Sequence, residues 1–115
     1  AIVKVDKDRF QQLLRILFDN AIKYSPSETS VTVSSKLDAG KVIITVRDQG
    51  AGVADDELPL IFDRFYRSQR MQHEKPTGSG LGLSIAKSIC DAHQASIWAV
   101  NTEDGLAIHI KLAVE

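Results

Sequence analysis

The chain has 115 residues, 43% of them hydrophobic and 25% charged, with a formal net charge of −1 at pH 7. That length and balance suit one globular domain with a real core, and the near-zero charge excludes a broad basic field for nucleic acid or an anionic membrane. One cysteine, Cys90, excludes an internal disulfide and a cysteine zinc site and suits a reducing compartment, while no apolar run approaches the roughly 20 residues of a membrane-spanning helix.

In chain order, Ala1-Ile2-Val3-Lys4-Val5 reads as a short apolar strand entering a fold, which is expected of a piece cut from something larger. Asp6 or Asp8 can cap the helix that follows. From Phe10 to about Tyr24, apolar residues recur at helical spacing (Phe10, Leu13, Leu14, Leu17, Phe18, Ala21, Ile22), until Ser25-Pro26-Ser27 stops the helix. Val31, Val33 and the run Val42-Ile43-Ile44-Thr45-Val46 predict two strands, joined as a hairpin through Asp38-Ala39-Gly40.

After the turn-rich Arg47-Asp48-Gln49-Gly50-Ala51-Gly52, a short helical piece is expected around Leu58 to Tyr66. Ser68 to Thr77 is polar and almost without apolar anchors, and reads as a mobile loop. Gly78-Ser79-Gly80-Leu81-Gly82 opens a second helix carrying Leu83, Ile85, Ala86, Ile89 and Cys90 on its apolar positions. Ile97 to Val100 and Leu106 to Leu112 close the chain as strands around a turn at Glu103-Asp104-Gly105. The pattern predicts an α+β two-layer sandwich, a mixed and largely antiparallel sheet with helices on one face.

Four segments break the local rules, and such breaks are where function tends to appear. Asn20 lies beside Leu13, Leu17 and Tyr24 at the edge of the apolar stripe. A buried amide without partners costs on the order of 1–3 kcal/mol. Asn20 is therefore either a satisfied core amide or an oxygen ligand for a hard cation, with Lys23 supplying positive charge to a phosphate. Asp48-Gln49-Gly50-Ala51-Gly52 follows a strand; it is either a plain Asp turn or a carboxylate placed to accept from an exocyclic amine, with glycines admitting a ligand.

Gly78-Ser79-Gly80-Leu81-Gly82-Leu83-Ser84 opens a helix, where free N–H groups and the dipole make an anion site unless the segment is only a hinge. Its spacing is neither the Walker loop nor the dinucleotide fingerprint. Ile61-Phe62-Asp63-Arg64-Phe65-Tyr66-Arg67 gathers three aromatics as anchors for the loop and two arginines able to meet phosphates bidentately.

In this order the four segments resemble the catalytic domain of histidine kinases, within the wider family of gyrase-type ATPases and Hsp90. Asp19-Asn20-Ala21-Ile22-Lys23-Tyr24-Ser25 resembles its N box and Asp48-x-Gly50-x-Gly52 its G1 box. Phe62-Asp63-Arg64-Phe65-Tyr66-Arg67 resembles the F box, and Gly78-x-Gly80-Leu81-Gly82-Leu83 the G2 box. The likeness runs from Asp6 to Leu112.

The resemblance implies a Bergerat fold, one domain over residues 1–115, with a lid at about residues 53–77 closing over ATP. It implies Asn20 as ligand of Mg²⁺, Lys23 on phosphate, Tyr24 lining the pocket, and Asp48 receiving the adenine amine. It also implies Gly80 and Gly82, with Leu81 and Leu83, as a turn under the phosphates. The γ-phosphoryl is then expected to pass to a histidine on a separate dimerisation hairpin of the same parent protein, and onward to a response regulator receiver domain. A cytoplasmic domain of a membrane-anchored bacterial sensor is implied, touching neither nucleic acid nor membrane itself.

His73-Glu74-Lys75-Pro76 echoes the acceptor motif only by chance, since it sits in the expected lid. His93 is expected to meet helix-end carbonyls, His109 is given no role, and Cys90 reads as a small core residue.

Three departures stand out. Ile16 occupies a position that is often polar in the family, and is a Glu that activates water in its hydrolytic members. An alkyl group cannot take a proton, which argues against a free-standing ATPase. Gln94-Ala95 replaces a common Gly-Gly, and Glu103-Asp104-Gly105-Leu106 is a poor last glycine box. Both of these are expected to affect sheet edges more than the pocket. A degenerate nucleotide sensor and an anti-sigma-type serine kinase are the remaining alternatives.

Overall fold

The computed structural model describes residues 2–26, 28–64, 66 and 82–114. Its first element is helix α1, Lys7–Tyr24, capped by the Asp6 carboxylate, which accepts from the Arg9 amide at 3.0 Å. Asp8 in the first turn and Lys23 in the last complement the helix dipole. Leu13, Leu17 and Ala21, four residues apart, are buried as one stripe. Ser25, extended at φ −88° and ψ 139°, ends the helix before Pro26.

Strand β1, Thr32–Asp38, turns through Ala39 and Gly40 into β2, Lys41–Arg47. Both turn residues have positive φ, 51° and 78°, the geometry whose twist matches a two-residue hairpin. Two 3₁₀ turns follow, Asp55–Glu57 and Leu60–Phe62. Helix α2 is Gly82–Ala92, and the hairpin of β3, Ser96–Thr102, and β4, Gly105–Ala113, completes the described chain.

The four strands pair antiparallel in the order β1-β2-β4-β3. Leu106, Ile108, Ile110 and Leu112 of β4 are all buried and face the helices. In register, Ile108 stands opposite Val46 and Ala99, and Ile110 opposite Ile44 and Ile97. Leu83, Ala86, Ile89 and Cys90 of α2 and the stripe of α1 close the same core. Leu13, Leu17, Ile61 and Ile110 are essentially inaccessible. Truncating such a residue to Ala costs about 2–5 kcal/mol, a large share of a typical 5–15 kcal/mol stability.

Two expectations are corrected. Residues 2–6 form no strand, because among the described residues no ladder partner lies beside them. Val3 and Val5 still pack on the core, and the Asp6 amide donates to His93 Nε2 at 2.9 Å instead. That bond leaves Nε2 without a proton, so Nδ1 carries it and donates to the Ile89 carbonyl at 2.8 Å, the helix-end contact expected of His93.

The short helical piece expected around Leu58 to Tyr66 is, among the described residues, only the 3₁₀ turn Leu60–Phe62, with the second 3₁₀ turn, Asp55–Glu57, lying before it. Pro59 between them has no N–H to continue a ladder. The local bonds span three residues, as in Asp63 N–H to Leu60 C=O at 3.0 Å. Ile61 and Phe62 nonetheless sink into the core and Tyr66 packs against it, while Phe65, the third aromatic expected as an anchor, lies outside the described residues. Among the described residues no helix is long and apolar enough to cross a membrane.

Candidate functional site

Asp48 follows the last residue of β2 and is only 4% exposed, the one polar or charged residue buried among those described. Its backbone amide donates to the Leu106 carbonyl at 2.9 Å. Its carboxylate Oδ1 accepts from the amides of Gly50, at 2.9 Å, and Leu106, at 3.2 Å. A buried carboxylate is tolerable only with such donors. The two bonds also fix its orientation, one from within the turn and one from the neighbouring strand.

The rest of the turn is held as tightly. Gly52 is buried at φ +73°, and a Cβ there would lie 2.7 Å from Asn101 Oδ1. Gly105 faces the backbone of Asp48 and Gln49, so that a Cβ on it would collide with the Asp48 carbonyl. Glu103-Asp104-Gly105-Leu106 therefore belongs to the floor of the site. The expectation that this segment acts mainly at a sheet edge is corrected, because β4 is an inner strand packed directly against the turn.

Gln49 ties the turn to the segment after α1. Its side-chain oxygen accepts from the Ser30 amide at 2.8 Å, and its amide donates to Ser25 Oγ at 3.4 Å. Its Nε2 donates to Asp104 at 3.4 Å, the leading cause of that carboxyl's lowered pKa. The C-terminal end of α1 is thereby brought to the Asp48 turn.

Asn20 lies in that end of α1, half-buried, and its amide has no hydrogen-bond partner among the described residues. One turn earlier on the same face, Ile16 Cγ2 lies 3.6 Å from where a Gly82 Cβ would stand. Ile16 is a packing residue joining α1 to the start of α2. Lys23, with Asp19, Ile22 and Ser25, lines an open hollow of about 560 Å³.

Asn20, the Asp48 turn and Gly82 thus gather at the C-terminal half of α1. Arg64, in the fourth, is exposed and lines a separate cavity of about 460 Å³ with Arg9, Ser84, Ser88 and His93. That lining runs along α2 from Ser84 to His93 and shares no residue with the hollow that Lys23 lines. Tyr66 donates its hydroxyl to Glu57 at 2.7 Å, and this bond chiefly pushes its phenol up to about 12.

Leu83 is buried at 4% exposure, so its side chain belongs to the core, whereas Gly82 is exposed at the start of α2. Arg67, Gly78, Gly80 and Leu81 lie outside the described residues, as does the side chain of Tyr24. So does the expected loop from Ser68 to Thr77, with His73-Glu74-Lys75-Pro76 inside it.

Asn101 was not singled out in the sequence, nor was Gly105 assigned to the pocket. A signal for Asn101 existed. It shares the inward parity of Ile97 and Ala99 on β3, where a polar residue is out of place. Gly105, at the start of a strand, marks a close backbone approach.

Residues 5–115 match the family described as histidine kinase-, DNA gyrase B-, and HSP90-like ATPase. The sensor histidine kinase YkoH of Bacillus subtilis is 47% identical over 92 residues, covering 80% of this chain and 20% of that protein. The mycobacterial sensor histidine kinase MprB superposes with a TM-score of 0.84 at 32% identity, over 96% of this chain and 74% of that one. The histidine kinase ThkA, solved in complex with the response regulator protein TrrA, gives a TM-score of 0.79 at 27% identity, over 98% of this chain and 30% of that one. The chain thus spans about a fifth of the length of YkoH.

Proposed function

The chain belongs to the histidine kinase-, DNA gyrase B-, and HSP90-like ATPase family and has the fold of sensor histidine kinase catalytic domains, and from that premise we propose that it binds ATP and transfers its γ-phosphoryl to a histidine on a separate dimerisation hairpin of its parent protein. The observation that carries this reading is the buried Asp48 carboxylate, held by two backbone amides in a turn that Gln49 ties to the end of α1.

Asp48 accepts from the adenine amine, and this selects against guanine, which presents a carbonyl oxygen there. Gly50 and Gly52 shape the turn around the base, and Tyr24 lines the pocket. Lys23 meets a phosphate from the last turn of α1. Arg64 and Arg67 meet phosphate oxygens at the other side. Gly78, Gly80, Leu81 and Gly82 lead into the α2 N-terminus, where free amides receive the phosphates. Leu83 supports that turn from the core. Residues 53–77 form the lid, rooted where Ile61 and Phe62 enter the core.

The half-buried Asn20 amide fits Mg²⁺, an ion that takes few protein oxygens and keeps phosphate and water ligands. When bound, Mg²⁺ neutralises charge on the phosphates. In the transfer an imidazole nitrogen of the acceptor bonds to the γ-phosphorus, the bond to the bridging oxygen breaks, ADP leaves, and the imidazole N–H proton is released. The chain's part is positioning and charge stabilisation. Ile16 supplies no base to activate water, and its packing against the start of α2 gives it another task. Slow release of phosphate by the domain alone follows.

The parent's receiver-domain partner is proposed from the ThkA complex with its response regulator. A cytoplasmic place for the domain in a membrane-anchored sensor follows from the same reading. The test supplies the domain with ATP, Mg²⁺ and the purified hairpin of its parent. Acid-labile phosphate on the hairpin, with little free phosphate, supports transfer. Steady phosphate release with an unlabelled hairpin supports an ATPase instead.

A further inference from the structure

Asn101 sits on the helix-facing side of β3, directly opposite Leu106 in the β3–β4 register. Its side-chain amide behaves as a one-residue strand. Oδ1 accepts from the Val53 amide at 3.1 Å, and Nδ2 donates to the Val53 carbonyl at 2.6 Å. Nδ2 also donates to the Asp55 carboxylate at 3.0 Å. Both polar groups of the Val53 backbone are therefore satisfied by one side chain.

On the other side of the same rung, the Leu106 backbone exchanges hydrogen bonds with Asp48, giving its carbonyl to the Asp48 amide and its amide to Oδ1. A single rung of the sheet thus grips both ends of the turn from Asp48 to Val53. The grip needs glycine at 52, since a Cβ there would lie 2.7 Å from Asn101 Oδ1.

We propose that Asn101 is a positioning residue for nucleotide recognition: with Leu106 it clamps the Asp48–Val53 turn, so that the Asp48 carboxylate is presented to the base in one orientation. The proposal rests on the reading of Asp48 as the adenine acceptor. Asn101 touches no substrate; it acts through the turn.

The variants Asn101→Ala and Asp55→Ala test it. The second removes one bond at an exposed site and preserves folding if the first does not. Amide hydrogen exchange is followed at Val53, with Ile108 and Ile110 of β4 as internal controls. Affinities for ATP and GTP, each with Mg²⁺, are measured by titration. In Asn101→Ala, Val53 exchange accelerates while the β4 amides keep their protection. ATP affinity falls about tenfold, the scale of one or two lost hydrogen bonds, while GTP affinity hardly changes. Asp55→Ala shifts both readouts the same way by a smaller factor.

Unchanged Val53 exchange in both variants overturns the clamp. A parallel fall of ATP and GTP affinity overturns the positioning role, because general loosening does not discriminate between bases. A wild-type chain without preference for ATP refutes the Asp48 reading, while the exchange measurement still judges the clamp by itself.

Discussion

Gly105 stands against the backbone of Asp48 so closely that a Cβ on it would lie 2.7 Å from the Asp48 carbonyl carbon and 2.9 Å from Gln49 Cα. The obstructing atoms are backbone, which cannot rotate away as a side chain can. Gly105→Ala therefore pushes the turn off β4, at a cost of about 1–3 kcal/mol typical of overpacking. Gly40→Ala is the matched control: φ is +78°, but no atom lies within 4 Å. It costs about 1 kcal/mol through backbone strain alone and leaves nucleotide affinity unchanged. Thermal melts and ATP titrations of the two variants separate the cases.

Asp48→Asn keeps an oxygen able to accept from the Gly50 and Leu106 amides, so the fold survives. The amide NH₂ cannot accept a further hydrogen bond, and the contact to the adenine amine is lost. ATP affinity drops by about tenfold or more, the worth of a charge-assisted hydrogen bond of about 1.5–3 kcal/mol. The ATP-to-GTP preference drops with it. Competition titration with the two nucleotides reads both effects.

On the sheet face away from the helices, His109 lies between Thr45 and Trp98. Its Nδ1 is 2.7 Å from Thr45 Oγ1, and its ring centroid is 5.1 Å from that of the indole. Burial holds its pKa below the usual 6.5. The unfolded chain, titrating near 6.5, binds the proton more readily than the folded one, so stability rises with pH across the interval between the two values. The His109 contribution is complete above about pH 6.5 and is lost as pH falls through the folded-state value. Urea melts from pH 5 to 8 show this slope in the wild type and a flatter profile in His109→Gln. Equal slopes contradict the assignment.

Cys90 is 1% exposed, and its thiol is pushed up to about 11 by burial first and by Asp91 second, with Lys87 opposing. Because the thiolate is the reactive form, alkylation at pH 8 proceeds only as fast as the protein opens. Labelling of the native chain is slow and becomes immediate in denaturing urea. Rapid labelling of the native chain contradicts the packing of α2.

Local pattern made part of this fold legible and left part hidden. The α1 stripe of Leu13, Leu17 and Ala21 and the Ala39-Gly40 hairpin declare themselves within a few residues, because their periodicity and turn chemistry are local. Ile2, Val3 and Val5 also make a local apolar run, yet a strand exists only if another strand lies beside it, and that information is non-local. The stretch 58–66 reads as a short helical piece, but Pro59 interrupts its ladder.

The same division runs through the site. Asn20 and Asp48 stood out because each breaks the pattern of its own element. Asn101 and Gly105 act on residues about fifty positions away, through a β-ladder whose register no short segment announces. Inward parity on β3 marks Asn101 once the strand is drawn. Gly105 becomes intelligible only when Asp48 is placed against it.

The central claim is that the domain holds ATP through Asn20, Asp48 and the start of α2. Calorimetric titration of the folded domain with ATP, in Mg²⁺ and again in excess chelator, tests it most directly. Saturable heat at one site per chain is expected in Mg²⁺, and Asn20→Ala should lose the metal-dependent part while melting as a folded protein. Absence of any binding heat from the folded wild-type domain contradicts the account.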